Sequence, residues 1–158
     1  MNTTELNHRL KQILQPSPSG VVGMADALLE LCFRECIEIR ATNFGITSRQ
    51  ANGTETNVIV NPWPRSSVFR AILARIIARC NEYSVDSVPI YGGDGIWARS
   101  MDEVSQLRIS VSNTTSDSRI HILPEPNRVR QLDTQALANG TAVKDALSEK
   151  YIPALLKG

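Results

Sequence analysis

Leu6, Leu10, Ile13 and Leu14 recur at intervals of three and four, the spacing at which side chains share one face of an α-helix. Residues about 3–14 are therefore predicted to form a short amphipathic helix, ended by Pro16-Ser17-Pro18-Ser19-Gly20. A breaker of this kind makes residues 1–19 a candidate N-terminal helical arm. A second helix is predicted over about 20–34. There Asp26, Glu30 and Arg34 form one polar stripe, and Leu28, Leu29, Leu31, Cys32 and Phe33 fill the rest of the circumference. A helix apolar on so many sides needs cover from more than one direction, from the rest of the fold or from a second subunit.

From Cys36 the period changes to two. Ile37, Ile39 and Ala41 alternate with Glu38, Arg40 and Thr42, the pattern of a half-buried strand. A partner strand is expected at about 55–61, where Val58 and Val60 alternate with Asn57 and Ile59. Gln50-Ala51-Asn52-Gly53 would reverse the chain between the two as an antiparallel hairpin. Pro62-Trp63-Pro64 stops the strand because proline offers no N–H to a ladder. Ser66 or Ser67 is placed to cap a helix over about 67–82, whose apolar arc is Phe69, Leu73, Ile76, Ile77 and Cys80, with Ala71, Ala74 and Ala78 as a second, small-residue arc.

Beyond it, Val88-Pro89-Ile90-Tyr91 is a short apolar run read as a strand, followed by Gly92-Gly93-Asp94-Gly95, a tight turn or a close backbone approach. Leu107, Ile109 and Val111, then Ile120 and Ile122, give a second hairpin across Asn113–Asp117, with Pro124 and Pro126 as its stop. A closing helix is expected over about 141–151, with Thr141 as its cap. Hairpins impose antiparallel pairing, so the chain reads as one α+β domain over 1–158. The expected architecture is a two-layer sandwich: an antiparallel sheet of four to five strands built from two hairpins, packed by a central helix and by N- and C-terminal helices.

Composition changes this picture little. The 158 residues carry 17 Lys+Arg and 16 Asp+Glu, a formal charge of +1, and 42% are hydrophobic. Such a chain is an ordinary globular protein, neither disordered nor polybasic. No apolar run has the roughly 18 residues of a membrane span, and Glu5, His8, Arg9 and Lys11 interrupt any signal-like segment. Three cysteines, Cys32, Cys36 and Cys80, are too few and too oddly numbered for a disulfide framework, which points to a reducing, cytoplasmic setting. Asn-x-Ser/Thr triplets at Asn2, Asn52, Asn113 and Asn139 read as turn chemistry.

Charge is uneven locally. Residues 56–81 hold only Arg65, Arg70, Arg75 and Arg79, whereas 82–103 hold five acids against Arg99. On the helical wheel Arg75 and Arg79 lie together and Arg70 apart, so the arginines make no single basic face, and nucleic acid is disfavoured as a partner. Arg65, Arg75 and Arg79 suit pairing within the fold or with a protein partner. The favoured functional expectation is accordingly a non-enzymatic, cytoplasmic protein-association module that pairs with itself as a homodimer or with another protein.

The competing expectation is a small-molecule site. Tyr91, Gly92, Gly93, Asp94, Gly95, Trp97, Arg99 and His121 would surround one pocket, the glycines presenting N–H groups to an anion. No Gly-Lys-Ser/Thr follows, so this is neither a P-loop nor a dinucleotide fingerprint. His121 falls on the polar side of its strand with Arg108, Ser110 and Arg119; as a general base it would need Asp94 or Asp117 and Ser110 brought to it by folding. The three cysteines sit among apolar neighbours, which argues against a metal site, and no cofactor motif is present. No catalytic residues are assigned.

Overall fold

The computed structural model describes residues 1–15, 20–82, 87–98 and 105–125. The chain divides into a unit of Met1–Pro126 and one of Asn127–Gly158, and every described residue lies in the first. In chain order its elements are α1 (Thr3–Leu14), α2 (Gly20–Glu35), β1 (Glu38–Thr42), β2 (Gly45–Arg49), β3 (Glu55–Val58), α3 (Ser66–Cys80), β4 (Gly92–Trp97), β5 (Gln106–Asn113) and β6 (Ser118–Glu125). This is an α+β fold with one antiparallel sheet of six strands, ordered β3-β2-β1-β6-β5-β4.

The helices form where their spacing predicts. The Asn2 side chain caps α1 by accepting from the Glu5 N–H at 2.8 Å, and Leu6, Leu10 and Leu14 are buried. The end of α2 is set by Cys36, whose φ of 55° is left-handed, and the Ile37 N–H then bonds back to the Cys32 carbonyl at 3.2 Å. That six-to-one bond is the mark of a Schellman stop. It also takes Cys36 off the helical face of Cys32. At α3 the expected serine cap is absent: Arg65 is the N-cap residue and makes no side-chain capping bond. Phe69, Ile72, Leu73, Ile76, Ile77 and Cys80 of α3 are buried, which extends the predicted arc by Ile72.

The first sheet half differs from expectation. Residues 38–42 and 55–58 are strands but do not pair, because β2 lies between them: Ala41 faces Ile46, and Ile46 faces Val58. The Gln50–Gly53 reversal is present, with the Gly53 N–H bonding the Gln50 carbonyl at 2.9 Å, but it joins β2 to β3. β2 carries one large apolar residue, Ile46, on its core face beside a buried Ser48, so its alternation is faint in the sequence. The second hairpin, β5 with β6, pairs Ile109 with Ile122 and Val111 with Ile120, as expected. Pro124 lies inside β6 instead of ending it. The β1–β6 ladder runs only from Ile39↔Ile122 to Thr42↔Arg119, so Pro124 falls where β1 asks β6 for no donor.

Gly92–Gly95 is a strand and not a turn, while Val88–Tyr91 precedes it as an irregular segment. The glycines serve close approach. A Cβ on Gly95 would come within 2.6 Å of Val88 Cγ2 and 3.2 Å of Cys80 Cβ, and one on Gly92, at φ +125°, within 2.3 Å of the Val111 carbonyl oxygen. Asn81 ties this segment to the end of α3, accepting from the Val88 N–H at 2.7 Å and donating to the Val88 carbonyl at 3.0 Å. With Gly92–Trp97 as β4 and Gly45–Arg49 as β2, the sheet has six strands where four to five were expected. The expected helix over 141–151 lies outside the described residues.

One side of the sheet holds the core: Ile39, Ala41, Ile46, Val58, Trp97, Leu107, Ile109, Val111, Ile120 and Ile122 are buried together with the inward faces of α1, α2 and α3. Among the described residues no helix packs on the other side. Nor is any described helix long and apolar enough to cross a membrane.

Candidate functional site

Strand alternation sorts the candidate residues onto two sides of the sheet. Trp97 points into the core, where it is 2% exposed, stacks edge-on against Phe33 with ring centroids 5.6 Å apart, and lies under the Arg79 guanidinium at 5.6 Å. His121 points the opposite way. The two cannot line one pocket, so the sequence-derived grouping around the glycines is divided by the sheet itself. Tyr91 is an exposed turn residue just before β4, Arg99 lies outside the described residues, and Gly92, Gly93, Asp94 and Gly95 belong to the edge strand.

On the open face, register aligns a polar row across all six strands: Asn57, Thr47, Arg40, His121, Ser110 and Asp94. Thr42, Arg119, Ser112 and Gly92 form the neighbouring row. A groove of about 420 Å³ lies over β1, β6 and β5, lined by Arg40, Thr42, Ser110, Ser112, Arg119 and His121, with the backbone at Ala41, Val111 and Ile120 as its floor. His121 Nε2 meets Glu38 Oε2 at 2.6 Å. Ser110 Oγ donates to Asp94 Oδ1 at 2.7 Å, and Ser112 Oγ to Asp117 Oδ2 at 2.8 Å.

Folding thus brings Asp94, Ser110 and His121 into one row, as a general-base reading requires, but it wires them differently. A nucleophilic serine needs its hydroxyl on the imidazole. Here the hydroxyl is committed to one carboxylate and the imidazole to a different one, so Ser110 and His121 form no serine–imidazole pair. The single-sequence signal for Arg40, Thr42, Ser112 and Arg119 was their position on the polar side of predicted strands. What the sequence could not supply was the adjacency of β1 to β6.

The interaction candidates fall elsewhere. Arg75 Nε and Arg79 Nη1 both approach Asp26 Oδ1 of α2, at 3.4 and 3.0 Å, and Arg79 Nε also meets Glu82 at 2.9 Å. These arginines are engaged within the chain, fastening α3 to α2. Arg65 is exposed at the start of α3, on the rim of an apolar groove lined by Leu14, Val21, Met24, Trp63 and Val68. Burial pushes the Cys80 thiol up to about 12 and raises those of Cys32 and Cys36, so none is poised as a nucleophile. Among the described residues no cluster of His, Cys, Asp and Glu could hold a metal ion.

The remaining feature is the β4 edge. Among the described residues its outer side carries no partner strand, and exposed apolar side chains gather along it: Ile90 at 74%, Tyr91 at 65% and Ile96 at 47%. β4 holds one charged residue, Asp94, which is already bonded to Ser110. At the other edge, β3 is shorter, begins at Glu55 in an ion pair with Arg49 at 2.7 Å, and has α1 packed beside it. The chain matches no known protein-family model, and no curated protein is significantly similar to it.

Proposed function

We propose that this protein is a non-enzymatic association module whose first partner is a second copy of itself, joined β4 to β4 about a two-fold axis. The observation that carries the reading is the β4 edge, which no described strand or helix covers beyond the bond from the Gly92 N–H to the Pro89 carbonyl at 3.0 Å. Sheet edges are normally blunted by lysine, proline, inward charge or a covering element, since their free N–H and C=O groups template further pairing. β4 contains no lysine or proline, three of its six residues are glycines with no side chain to hold another backbone off, and Ile96 and Tyr91 would gain cover from a partner. An antiparallel strand pair is self-complementary under two-fold symmetry, the commonest arrangement of homodimers.

On this reading the two-layer arrangement of helices on one sheet face would continue across the dimer as a single extended sheet. Three free cysteines suit a reducing cytoplasm. The Arg75–Asp26–Arg79 cluster supports the protomer, and the interface owes it nothing directly. Sedimentation velocity over a wide concentration range tests the proposal, with Ile96→Lys and Tyr91→Lys as edge variants. The wild type is expected to dimerise and both variants to remain monomeric while keeping their far-ultraviolet circular dichroism. A wild type that stays monomeric throughout, or a dimer indifferent to both variants, overturns it.

A further inference from the structure

We propose that the open face of the sheet binds the phosphate group of a small phosphorylated molecule between Arg40 and Arg119. The two arginines stand on adjacent strands in neighbouring rows, Arg40 opposite His121 and Thr42 opposite Arg119. Diagonal neighbours of this kind lie roughly 7–8 Å apart, close enough for two guanidinium groups to converge on one anion. Like charges so placed are unfavourable when nothing sits between them, so the juxtaposition itself calls for a counter-charge.

The intramolecular carboxylates meet that demand poorly. Arg40 reaches Glu38 only at 3.4 Å, and Glu38 is shared with His121 at 2.6 Å and Arg49 at 3.8 Å. Arg119 reaches Asp117 only at 3.4 Å, and the same Asp117 oxygen already accepts from Ser112. Elsewhere on this face Arg108 makes two hydrogen bonds to Glu125, at 3.1 and 3.2 Å, and Arg49 one to Glu55 at 2.7 Å. Of the described arginines on this face, the two in the groove are therefore the least satisfied, and their side chains are 65% and 68% exposed.

The lining set of the groove contains Arg40, Arg119, His121 and three hydroxyl residues, Thr42, Ser110 and Ser112, and no carboxylate. The two guanidinium groups would supply forked donors for paired oxygens of a tetrahedral oxyanion, and Thr42, whose hydroxyl oxygen accepts from the Phe44 N–H at 3.1 Å, keeps its own O–H for a third oxygen, while the Ser110 and Ser112 hydroxyls already donate to Asp94 and Asp117. A groove of about 420 Å³ falls within the roughly 300–1,000 Å³ range of small-molecule sites and exceeds what bare phosphate would fill. The phosphate would thus arrive attached to a small polar body lying along the Thr42–Ser112 row.

Inorganic phosphate and glycerol 3-phosphate, titrated at constant ionic strength into isotope-labelled protein, provide the test. Saturable amide shifts at Thr42, Ser110, Ser112 and Arg119 are expected, with glycerol 3-phosphate binding more tightly than phosphate. Arg119→Ala and Arg40→Gln should each weaken binding by about tenfold, as loss of a charge-assisted contact implies. Arg108→Ala, which removes a cation from the same face outside the groove, should change neither affinity nor the pattern of shifts. Shifts that never saturate, or equal binding by wild type, Arg119→Ala and Arg40→Gln, would overturn the proposal. A loss produced equally by Arg108→Ala would also do so, reducing the effect to general attraction. Dimerisation through β4 is a separate property, read from sedimentation of the same samples.

Discussion

Cys36 stands in the left-handed region at φ 55°, a conformation that costs a residue with a Cβ about 1–2 kcal/mol and glycine almost nothing. The position follows α2 directly, where helices favour glycine. Cys36→Gly is therefore expected to stabilise the fold by about 0.5–1 kcal/mol after the greater freedom of glycine in the unfolded chain is allowed for, read as a higher urea midpoint at unchanged slope. The thiols supply a second residue-scale expectation. Burial raises Cys80 to about 12 and moves Cys32 in the same direction, above the value near 9 of an unperturbed thiol. Below that ordinary value both states hold the proton and stability is unaffected; above it the unfolded chain ionises first, so stability falls as pH rises from about 9 toward 12. Each such thiol contributes a slope of up to about 1.4 kcal/mol per pH unit. Denaturant midpoints at successive alkaline pH values check this, and Cys80→Val should flatten the decline.

Elements were legible where a full period could repeat. α1, α2 and the β5–β6 hairpin each contain several apolar residues at one spacing; the bounds of the two helices nearly coincide with prediction, and the hairpin forms as expected but runs on through Pro124. β2 offered only Ile46 and the buried Ser48, and β4 offered glycines that periodicity reads as a break; both were hidden because their core-side surface is small or supplied by neighbours. The helix pair shows the same limit for charges. Arg75 and Arg79 share a sector that the wheel identifies, but only folding reveals Asp26 opposite them. Asp26→Asn takes the shared carboxylate from Arg75 and leaves Arg79 with Glu82 alone, and is expected to cost roughly 1–2 kcal/mol. Because the contact is internal to one chain, that loss should be independent of protein concentration. A concentration-dependent loss of stability would place Asp26 at a subunit contact instead.

At the scale of the whole molecule, the polar side of the sheet was visible as the alternate positions of three strands, while its assembly into one groove depended on β1 lying beside β6. Sequence order places those strands far apart: Arg40 and His121 face each other across 81 positions of chain. The open edge was equally invisible, since an edge is a property of strand order and β4 was not expected to be a strand. Dimerisation through that edge leaves the open-face groove available on each protomer, so the two proposed activities are compatible in one assembly. The most direct measurement is sedimentation velocity of the wild type beside Ile96→Lys. The account expects a concentration-dependent monomer–dimer equilibrium in the first and monomer alone in the second. A dimer of undiminished strength in Ile96→Lys, or a wild type that never dimerises, would contradict it.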